Sequence, residues 1–497
     1  MGEAVPPPFL FTQVYMDSNF ISWLSTTSER CVLVDVSANI GGQEKVMHFS
    51  NITYADGAIQ YSPLLVGGVT SECSVSPYGD VSLSYGDVEL DNSDGWLDGW
   101  LSSAFNGRGV SIYYGSASWP KSQFELVFSG VVTGVDARKS DRINIKIGDN
   151  LQRLNSAVVI PVVTDTSGVE KIVPIAFGEV FNVTPVLVDT SQLIYKVHTG
   201  PIEGIIEVRD SGVPVDFIPL KSAGGFQLKS TPVGELTASI QGDSVGGYTN
   251  KAASIVERLV TRFSSPLAGV GTSPFADGAV EAVDAAAPAP IGEYISDKAN
   301  ILETCQAILK SVGYVLTVGR DGKFEFVKFM PPANASPAYT VDEDVVAHFG
   351  VSPSKVTPAA PFVKVGWAKN WTVQSSGLAS GIPAPHQDMY AKEWYTITKK
   401  DAAAISLHKY SLEPQVFETM LLVFSNADSL AEAMLERDKI PRKTFSVAGF
   451  SDLFKCWVGD VITLKYFRYG LENGVNGYIQ KVSFDYLKGS SALEVFV

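Results

Sequence analysis

Apolar residues recur at the spacing of an amphipathic helix in two segments near the middle of the chain. This spacing predicts one helix within 250–263 and a second within 299–312. Cys305 lies in the second stripe and is expected in the core, and Gly313 follows where a helix-ending glycine belongs. The two stripes consist of Ile255, Val256, Leu259, Val260 and Phe263, and of Ile301, Leu302, Cys305, Ile308, Leu309 and Val312.

Most of the remaining chain alternates between apolar and polar residues in short runs, which is typical of strands. In 478–486 the apolar residues fall mostly on even positions, as in a half-buried strand. One more helix is predicted at 425–438, and the Ala-, Pro- and Gly-rich segment 266–292 is expected to be an exposed loop. The fold class is therefore mainly β with α+β insertions.

Changes of period divide the chain into four expected domains, of which two are similar. Segments 129–147 and 476–497 share a plan of glycine, strand, charged turn and closing strand, so we expect two barrel-like domains of similar build. The expected domains are a β-barrel-like domain at 1–160, a β-rich middle domain at 161–248, an α+β domain of helices and a hairpin at 249–335, and a second β-barrel-like domain at 336–497.

The segment 91–101, DNSDGWLDGWL, raises the question of a calcium site. With Gly95 at the sixth position of a calcium loop, Leu90 and Leu101 occupy the end positions that require oxygen ligands. No metal is therefore expected here. Asp and Asn side chains that bond their own backbone make a turn the better interpretation.

We interpret this segment as a strand–helix–strand connection. Asp94 is expected to cap a short helix, and Gly107 in NGRG tolerates a positive φ before the next strand. Trp96, Leu97, Trp100 and Leu101 are expected on one buried helical face. The structural residues of the motif are Asp94, Gly95, Trp96, Trp100 and Gly107.

Charge is unevenly placed along this acidic chain of 497 residues, whose net charge is −15. Residues 1–100 hold 13 acidic residues and only two basic ones, Arg30 and Lys45. An acidic region repels the phosphate backbone of a nucleic acid, so sequence-specific binding of nucleic acid is not expected. The acids either solvate the outer surface or face a basic partner or a channel to which DNA does not adhere.

Motifs for catalysis or cofactor binding are missing from the sequence. The four cysteines are far apart, and the five histidines have no metal-ligand spacing. We therefore expect no enzyme, no cofactor and no metal. The N-terminal segment 1–11 lacks the positive region of an export signal, and no apolar run spans a bilayer. Synthesis in the cytoplasm and no membrane anchor are expected.

Four segments, in this order, resemble the tail hub proteins of long-tailed bacteriophages and gene transfer agents. Segment 86–115 is similar to the strand–helix–strand of their first barrel, and 173–202 to a stretch common in such phage proteins. Segment 299–329 resembles their unit of helix, glycine and hairpin, and 430–466 the entry to their last barrel. The clustered C-terminal cysteines of some hubs are absent from this sequence, so the resemblance implies no iron–sulfur cluster, and we expect no appended hydrolase domain.

The resemblance implies a structural virion protein at the tail tip, synthesised in the cytoplasm of a host bacterium. Hubs of this kind are trimers, and two similar barrels per chain would present six units that join a six-fold tube to a three-fold tip. The implied partners are two further copies, a distal tail or tube protein, a tape measure protein, and a central tip or fibre protein. The hub would line the path of the DNA and the tape measure, with Trp96 and Trp100 as core or interface anchors.

Two other functions stay open at this point. A receptor-binding tail protein would use exposed aromatic residues to stack on host surface glycans. A peptidoglycan hydrolase is the second alternative, and the missing catalytic motifs count against it.

Overall fold

The computed structural model describes residues 16–264, 267, 273–328, 336–409 and 412–497; the N-terminal segment 1–11 considered above lies outside them. Up to residue 243 the described chain is almost entirely β, as predicted, with no long helix in 161–248. The elements of this part are α1 (Ser18–Leu24), β1 (Arg30–Ile40), β2 (Gln43–Ser50), β3 (Tyr54–Asp56), β4 (Ile59–Tyr61), β5 (Leu65–Ser74), β6 (Tyr85–Asp91), β7 (Gly109–Ser116), β8 (Glu125–Lys139), β9 (Arg142–Gly148), β10 (Val162–Thr164), β11 (Glu170–Ile172), β12 (Ile175–Val183), β13 (Val186–Asp189), β14 (Ile194–Lys196), β15 (Ile202–Asp210), β16 (Val213–Pro214), β17 (Phe217–Leu220), β18 (Gly225–Leu228) and β19 (Leu236–Asp243).

The rest of the chain combines helices with strands. The three predicted helices are confirmed; they are Ala252–Phe263, Ile301–Lys310 and Phe424–Asp438. The fold class is mainly β, as predicted. The elements are α2 (Ala252–Phe263), α3 (Ala279–Ala286), β20 (Gly292–Ile295), α4 (Ile301–Lys310), β21 (Tyr314–Val318), β22 (Phe324–Lys328), β23 (Tyr339–Val341), β24 (Val346–Thr357), β25 (Phe362–Trp367), α5 (Ala384–Ala391), β26 (Tyr395–Lys400), α6 (Ala402–His408), β27 (Val416–Glu418), α7 (Phe424–Asp438), β28 (Arg442–Phe450), β29 (Val461–Leu464), β30 (Val475–Asp485) and β31 (Ser490–Phe496).

The expectation of an exposed loop at 266–292 is wrong for 273–292, because α3 lies there and packs against α2; residues 266 and 268–272 of this segment lie outside the described residues. Val283 of α3 is fully buried. Asp284 accepts hydrogen bonds from the backbone N–H of Ala253 at 2.9 Å and of Ser254 at 3.1 Å. A carboxylate from another helix thus satisfies the free N-terminal amides of α2, a contact that sequence spacing does not reveal.

The expectation of a single helix in 336–497 is also wrong, since α5 and α6 are present as well. Tyr390 is the buried residue of α5, and α6 has none. Asp401 caps α6 by accepting from the N–H of Ala404 at 2.9 Å. Short helices of this kind lack an apolar stripe, so hydrophobic periodicity cannot predict them.

One sheet of 13 strands joins the two ends of the chain. Its main path runs β2-β1-β7-β8-β9-β6-β5-β30-β31-β28-β24, and β29 and β23 attach through β30. The two ends meet where β5 pairs antiparallel with β30, with Cys73 opposite Val482. We call this pairing the seam. Among the described residues the path has two ends, β2 and β24, so the expected barrel closure is not seen there.

The similar segments 129–147 and 476–497 form two antiparallel hairpins, β8–β9 and β30–β31. Both hairpins belong to the 13-stranded sheet, in which β6 and β5 lie between them. Their similar plan in the sequence therefore corresponds to two similar pieces of one sheet. The remaining sheets are β16-β15-β19-β12-β20, β13-β14-β18-β17, β26-β25-β27, β21-β22, β10-β11 and β3-β4.

The largest hydrophobic core is shared by both ends of the chain. Tyr114 of β7 is fully buried, and its ring lies 5.3 Å from that of Phe454 and 6.1 Å from that of Tyr486. A second core surrounds α2 and α4, where Cys305 is fully buried as predicted. The boundaries of the four expected domains stay a prediction.

Candidate interface at the turn after β6

The polar side chains of the connection from β6 to β7 bind backbone amides of the same turn. Asn92 accepts from the N–H of Leu97 at 2.7 Å and donates to Asp98 at 2.8 Å. Asp94 accepts from the N–H of Trp96 at 3.0 Å. These bonds engage the side-chain oxygen of Asn92 and one oxygen each of Asp94 and Asp98 within the turn, and within the described ranges no cluster of His, Cys, Asp and Glu suits a metal.

Asp94 does not have the expected capping role. The connection contains a 3₁₀ helix at Asp98–Ser102, whose N-cap is Leu97 and which has no side-chain cap. Asp94 instead stabilises the preceding turn, where Gly95 has a φ of +74°. Gly107 has a φ of +76° and therefore occupies the left-handed region, as predicted.

Burial divides the four apolar residues of this turn into two pairs. Leu97 is fully buried, and Trp100 is 6% exposed with its ring 5.7 Å from that of Phe49. Trp96 is 65% exposed and Leu101 53% exposed, so the expectation of one buried face is wrong for both. The 3₁₀ helix begins only at Asp98, so Trp96 lies in the turn before it, and the bond from the N–H of Trp100 to the carbonyl of Leu97 places these two residues, three apart, on one face.

The exposed side chains of residues 94–101 form what we call the Trp96 surface: Asp94, Trp96, Asp98 and Leu101. An exposed tryptophan next to carboxylates offers apolar area within an acidic rim. The hydrogen bonds of Asn92 and the buried Trp100 hold this turn against the sheet. Rigid aromatic groups of this kind are typical anchors of protein interfaces.

A second exposed aromatic group was missed in the sequence. Phe349 is 65% exposed, and its ring lies 6.3 Å from that of Phe467, which is 49% exposed. Phe349 sits in a bulge of β24 with a φ of +55°, a strained conformation for a bulky residue. The apolar pattern gives no signal of it, because an exposed phenylalanine in a strand looks the same as a buried one.

His198 belongs to a buried polar cluster in the middle of the chain. Its Nδ1 accepts from the N–H of Ala176 at 3.0 Å, and its Nε2 lies 3.4 Å from Asp243. Arg258 and Arg262 each approach the same carboxylate at 2.8 Å. Burial raises the pKa of Asp243, but the hydrogen bond from His198 and the guanidinium of Arg262 outweigh it, and the pKa is lowered. The cluster ties α2 to the end of β19.

The cysteines offer no reactive thiol, since all four are buried and unpaired. Burial raises the pKa of Cys31 and of Cys456 to about 12. A thiol with such a pKa is not a thiolate at neutral pH.

In the described part of the chain, the helices are also too short or too polar to cross a bilayer.

Comparisons with known proteins return tail proteins among solved structures. No family model and no curated protein matches the chain. A tail protein from Neisseria meningitidis is 10% identical, with a TM-score of 0.38 over 93% of this chain and 96% of that one. The 43 kDa tail protein of prophage MuSo2 from Shewanella oneidensis is 11% identical, with a TM-score of 0.39 over 94% and 98% of the two chains. A prophage tail protein from Listeria monocytogenes is 10% identical, with a TM-score of 0.42 over 94% of each chain.

Proposed function

We propose that this chain is a structural protein of a phage-type tail, and that it serves as the hub at the tail tip. Four segments resemble tail hub proteins in family order, and two of them fold in the way that the resemblance implies. Segment 86–115 forms strand, 3₁₀ helix and strand, and the described residues 299–328 form α4, a helix-ending glycine and the hairpin β21–β22.

The single sheet that holds both hairpins is the observation that carries the hub proposal. Because β8–β9 and β30–β31 belong to one sheet, each subunit presents two similar units. Three copies around a three-fold axis then present six such units. A ring of this kind can contact a six-fold tube on one side and a three-fold tip on the other.

The Trp96 surface is the proposed contact with a neighbouring tail protein. Its tryptophan and leucine supply apolar area, and Asp94 and Asp98 select a partner with basic groups. The proposed partners are two further copies, a distal tail or tube protein, the tape measure protein, and a central tip or fibre protein. The acidic excess of residues 1–100 suits a channel wall to which DNA does not adhere.

Light scattering of the purified chain tests the oligomer, and we expect a mass three times that of the 53.4 kDa chain. Virions labelled with an antibody to this chain should show the label at the tail tip in electron micrographs. A stable monomer that also stays monomeric when tail partners are present, or a label on the capsid, would contradict the proposal.

Trp96→Ala tests the proposed contact surface. This variant should fold normally and assemble poorly into tails. Tyr85→Ala is the matched control, because Tyr85 is a 56% exposed aromatic residue outside the Trp96 surface. Equal assembly of the two variants would remove the Trp96 surface from the proposal.

A receptor-binding role is the second candidate, and the 65% exposure of Trp96 favours it. An exposed indole ring can stack on a sugar ring. Binding of the isolated chain to a glycan array, abolished by Trp96→Ala, would support this role. Normal tail assembly by the same variant would separate it from the hub role.

A further inference from the structure

A cavity of about 390 Å³ lies where several parts of the chain meet. Its walls come from the loop after β5, the C-terminal end of α4, the end of β22, and one side of α7. Cavities of 300–1,000 Å³ at such junctions are the usual size and place of ligand sites. Its apolar lining includes Val312, Val315, Phe417, Leu430 and Met434.

The charge of this cavity contrasts with that of the chain. The chain has 53 acidic and 38 basic residues, yet the lining holds Lys310, Lys328 and Arg437 and no carboxylate. A random selection from an acidic surface would contain more acids than bases. The cavity is thus a cationic site in an anionic protein.

Arg437 is already neutralised within the fold. Its guanidinium donates to both oxygens of Asp438 at 2.9 Å and 2.7 Å, and to the carbonyl of Pro77 at 3.0 Å. It therefore shapes the wall, and its charge is not available to a ligand.

The two lysines differ from Arg437 in this respect. In the part of the chain that the structure describes, no carboxylate lies within 4.0 Å of Lys310 or Lys328. Each ammonium instead lies over an aromatic ring, Lys310 at 5.5 Å from the centre of Phe417 and Lys328 at 5.4 Å from that of Tyr314. Two cations above apolar walls suit one anionic group attached to an apolar body.

We propose that this cavity binds an organic anion with an apolar body, such as a medium-chain carboxylate or an aryl sulfonate. The acid group pairs with Lys310 and Lys328, and the apolar body lies between α4 and α7. This inference is independent of the proposed role in a tail. An inorganic anion such as phosphate leaves the apolar walls uncovered and does not bind there.

Fluorescence titration of the full chain with 1-anilinonaphthalene-8-sulfonate tests the proposal. N-phenyl-1-naphthylamine, which lacks the acid group, is the neutral probe. The double variant Lys310→Gln/Lys328→Gln should weaken binding of the sulfonate about tenfold or more and leave the neutral probe unchanged. Decanoate should displace the sulfonate from the wild type, and phosphate should not.

The control variant is Lys323→Gln/Lys399→Gln, which removes two lysines outside the cavity. It should bind the sulfonate like the wild type. Unchanged sulfonate binding by the Lys310/Lys328 variant, or an equal loss in the control, would overturn the proposal.

A variant that blocks the cavity sterically tests the binding site without removing a charge. Ala433 is an exposed residue of α7 that lines the cavity, so Ala433→Trp fills the cavity without disturbing the core. This variant should lose both probes and keep the thermal unfolding midpoint of the wild type. Retained sulfonate binding by folded Ala433→Trp protein would refute the site.

Discussion

At the scale of single residues, the turn after β6 shows how neighbouring tryptophans acquire opposite roles. Trp100 packs between Phe49 and Phe105, with ring distances of 5.7 Å and 5.3 Å, whereas Trp96 faces solvent. Their spacing of four suggested a common helical face. Trp96 lies in the turn before the 3₁₀ helix and Trp100 lies within that helix, so the two side chains do not share a face, and the free energy of unfolding should reflect the difference.

Trp100→Ala should destabilise the protein by about 3–5 kcal/mol, because it leaves a large cavity in the main core. Trp96→Ala should change the free energy of unfolding by less than about 0.5 kcal/mol, as is usual for exposed positions. Urea unfolding followed by tryptophan fluorescence and circular dichroism measures both. Similar losses for the two variants would show that the turn is not folded as described.

Cys305 provides a second test at the residue scale. The thiol is fully buried on α4, so Cys305→Asp places an unpaired carboxylate in the core and should destabilise by several kcal/mol. Cys305→Ala removes only a small volume and should cost about 1–2 kcal/mol. Thermal unfolding of both variants is the measurement. A Cys305→Asp protein that folds like the wild type would contradict this position of α4.

At the scale of elements, β20 carries a carboxyl group into the interior. Glu293 is 6% exposed, and its Oε2 has no hydrogen-bond partner among the described residues. Burial raises its pKa from 4.5 to about 8, although Lys369 partly opposes this. The folded state disfavours the ionised form of this carboxyl group. The group therefore destabilises the fold at pH values at which it is ionised in the unfolded chain.

The sign of the pH dependence follows from this shift. Because the pKa of Glu293 is higher in the folded state, its unfavourable contribution grows as the pH rises from about 4.5 to about 8 and is constant above. Glu293→Gln should therefore gain stability relative to the wild type across this range, on the order of a few kcal/mol. Urea midpoints at several pH values measure it, with Glu303→Gln on the exposed side of α4 as control. A constant difference between Glu293→Gln and the wild type would rule this out.

At the scale of the whole molecule, the seam decides how the two ends of the chain meet. Residues more than 400 positions apart, Cys73 and Val482, face each other across an antiparallel pair. Both side chains point into the shared core. The N-terminal and C-terminal β regions are thus two parts of one sheet.

Val482→Cys should form a disulfide with Cys73 when the denatured, reduced chain is refolded under oxidising conditions, because both thiols are accessible before folding and directly opposed residues have the Cα separation that a disulfide needs. A peptide map without reduction should contain residues 73 and 482 in one linked peptide. Lys481→Cys is the control, since it faces the other side of the strand and pairs with Ser74. Absence of the link in Val482→Cys, or a link from Lys481→Cys as well, would place the seam in a different register.

Periodic features of the sequence predicted much of the fold. The stripes of α2 and α4, the helix-ending Gly313, and the strands β8, β9, β30 and β31 all depend on neighbours within a few residues. Leu90 and Leu101, at the end positions of the would-be calcium loop, likewise led to the prediction of no metal from local chemistry alone. These features are local because backbone geometry and side-chain spacing act over one or two turns.

Tertiary structure alone decided the seam, the burial of α3, the exposure of Trp96 and the cationic cavity. Each depends on residues far apart in the sequence: Cys73 and Val482 in the seam, or Lys310 and Lys328 with α7 around the cavity. A local pattern states which face of an element is apolar, but not which other element covers it. That choice follows from packing of the whole chain, which is why the candidate interface and the cavity became visible only in the folded molecule.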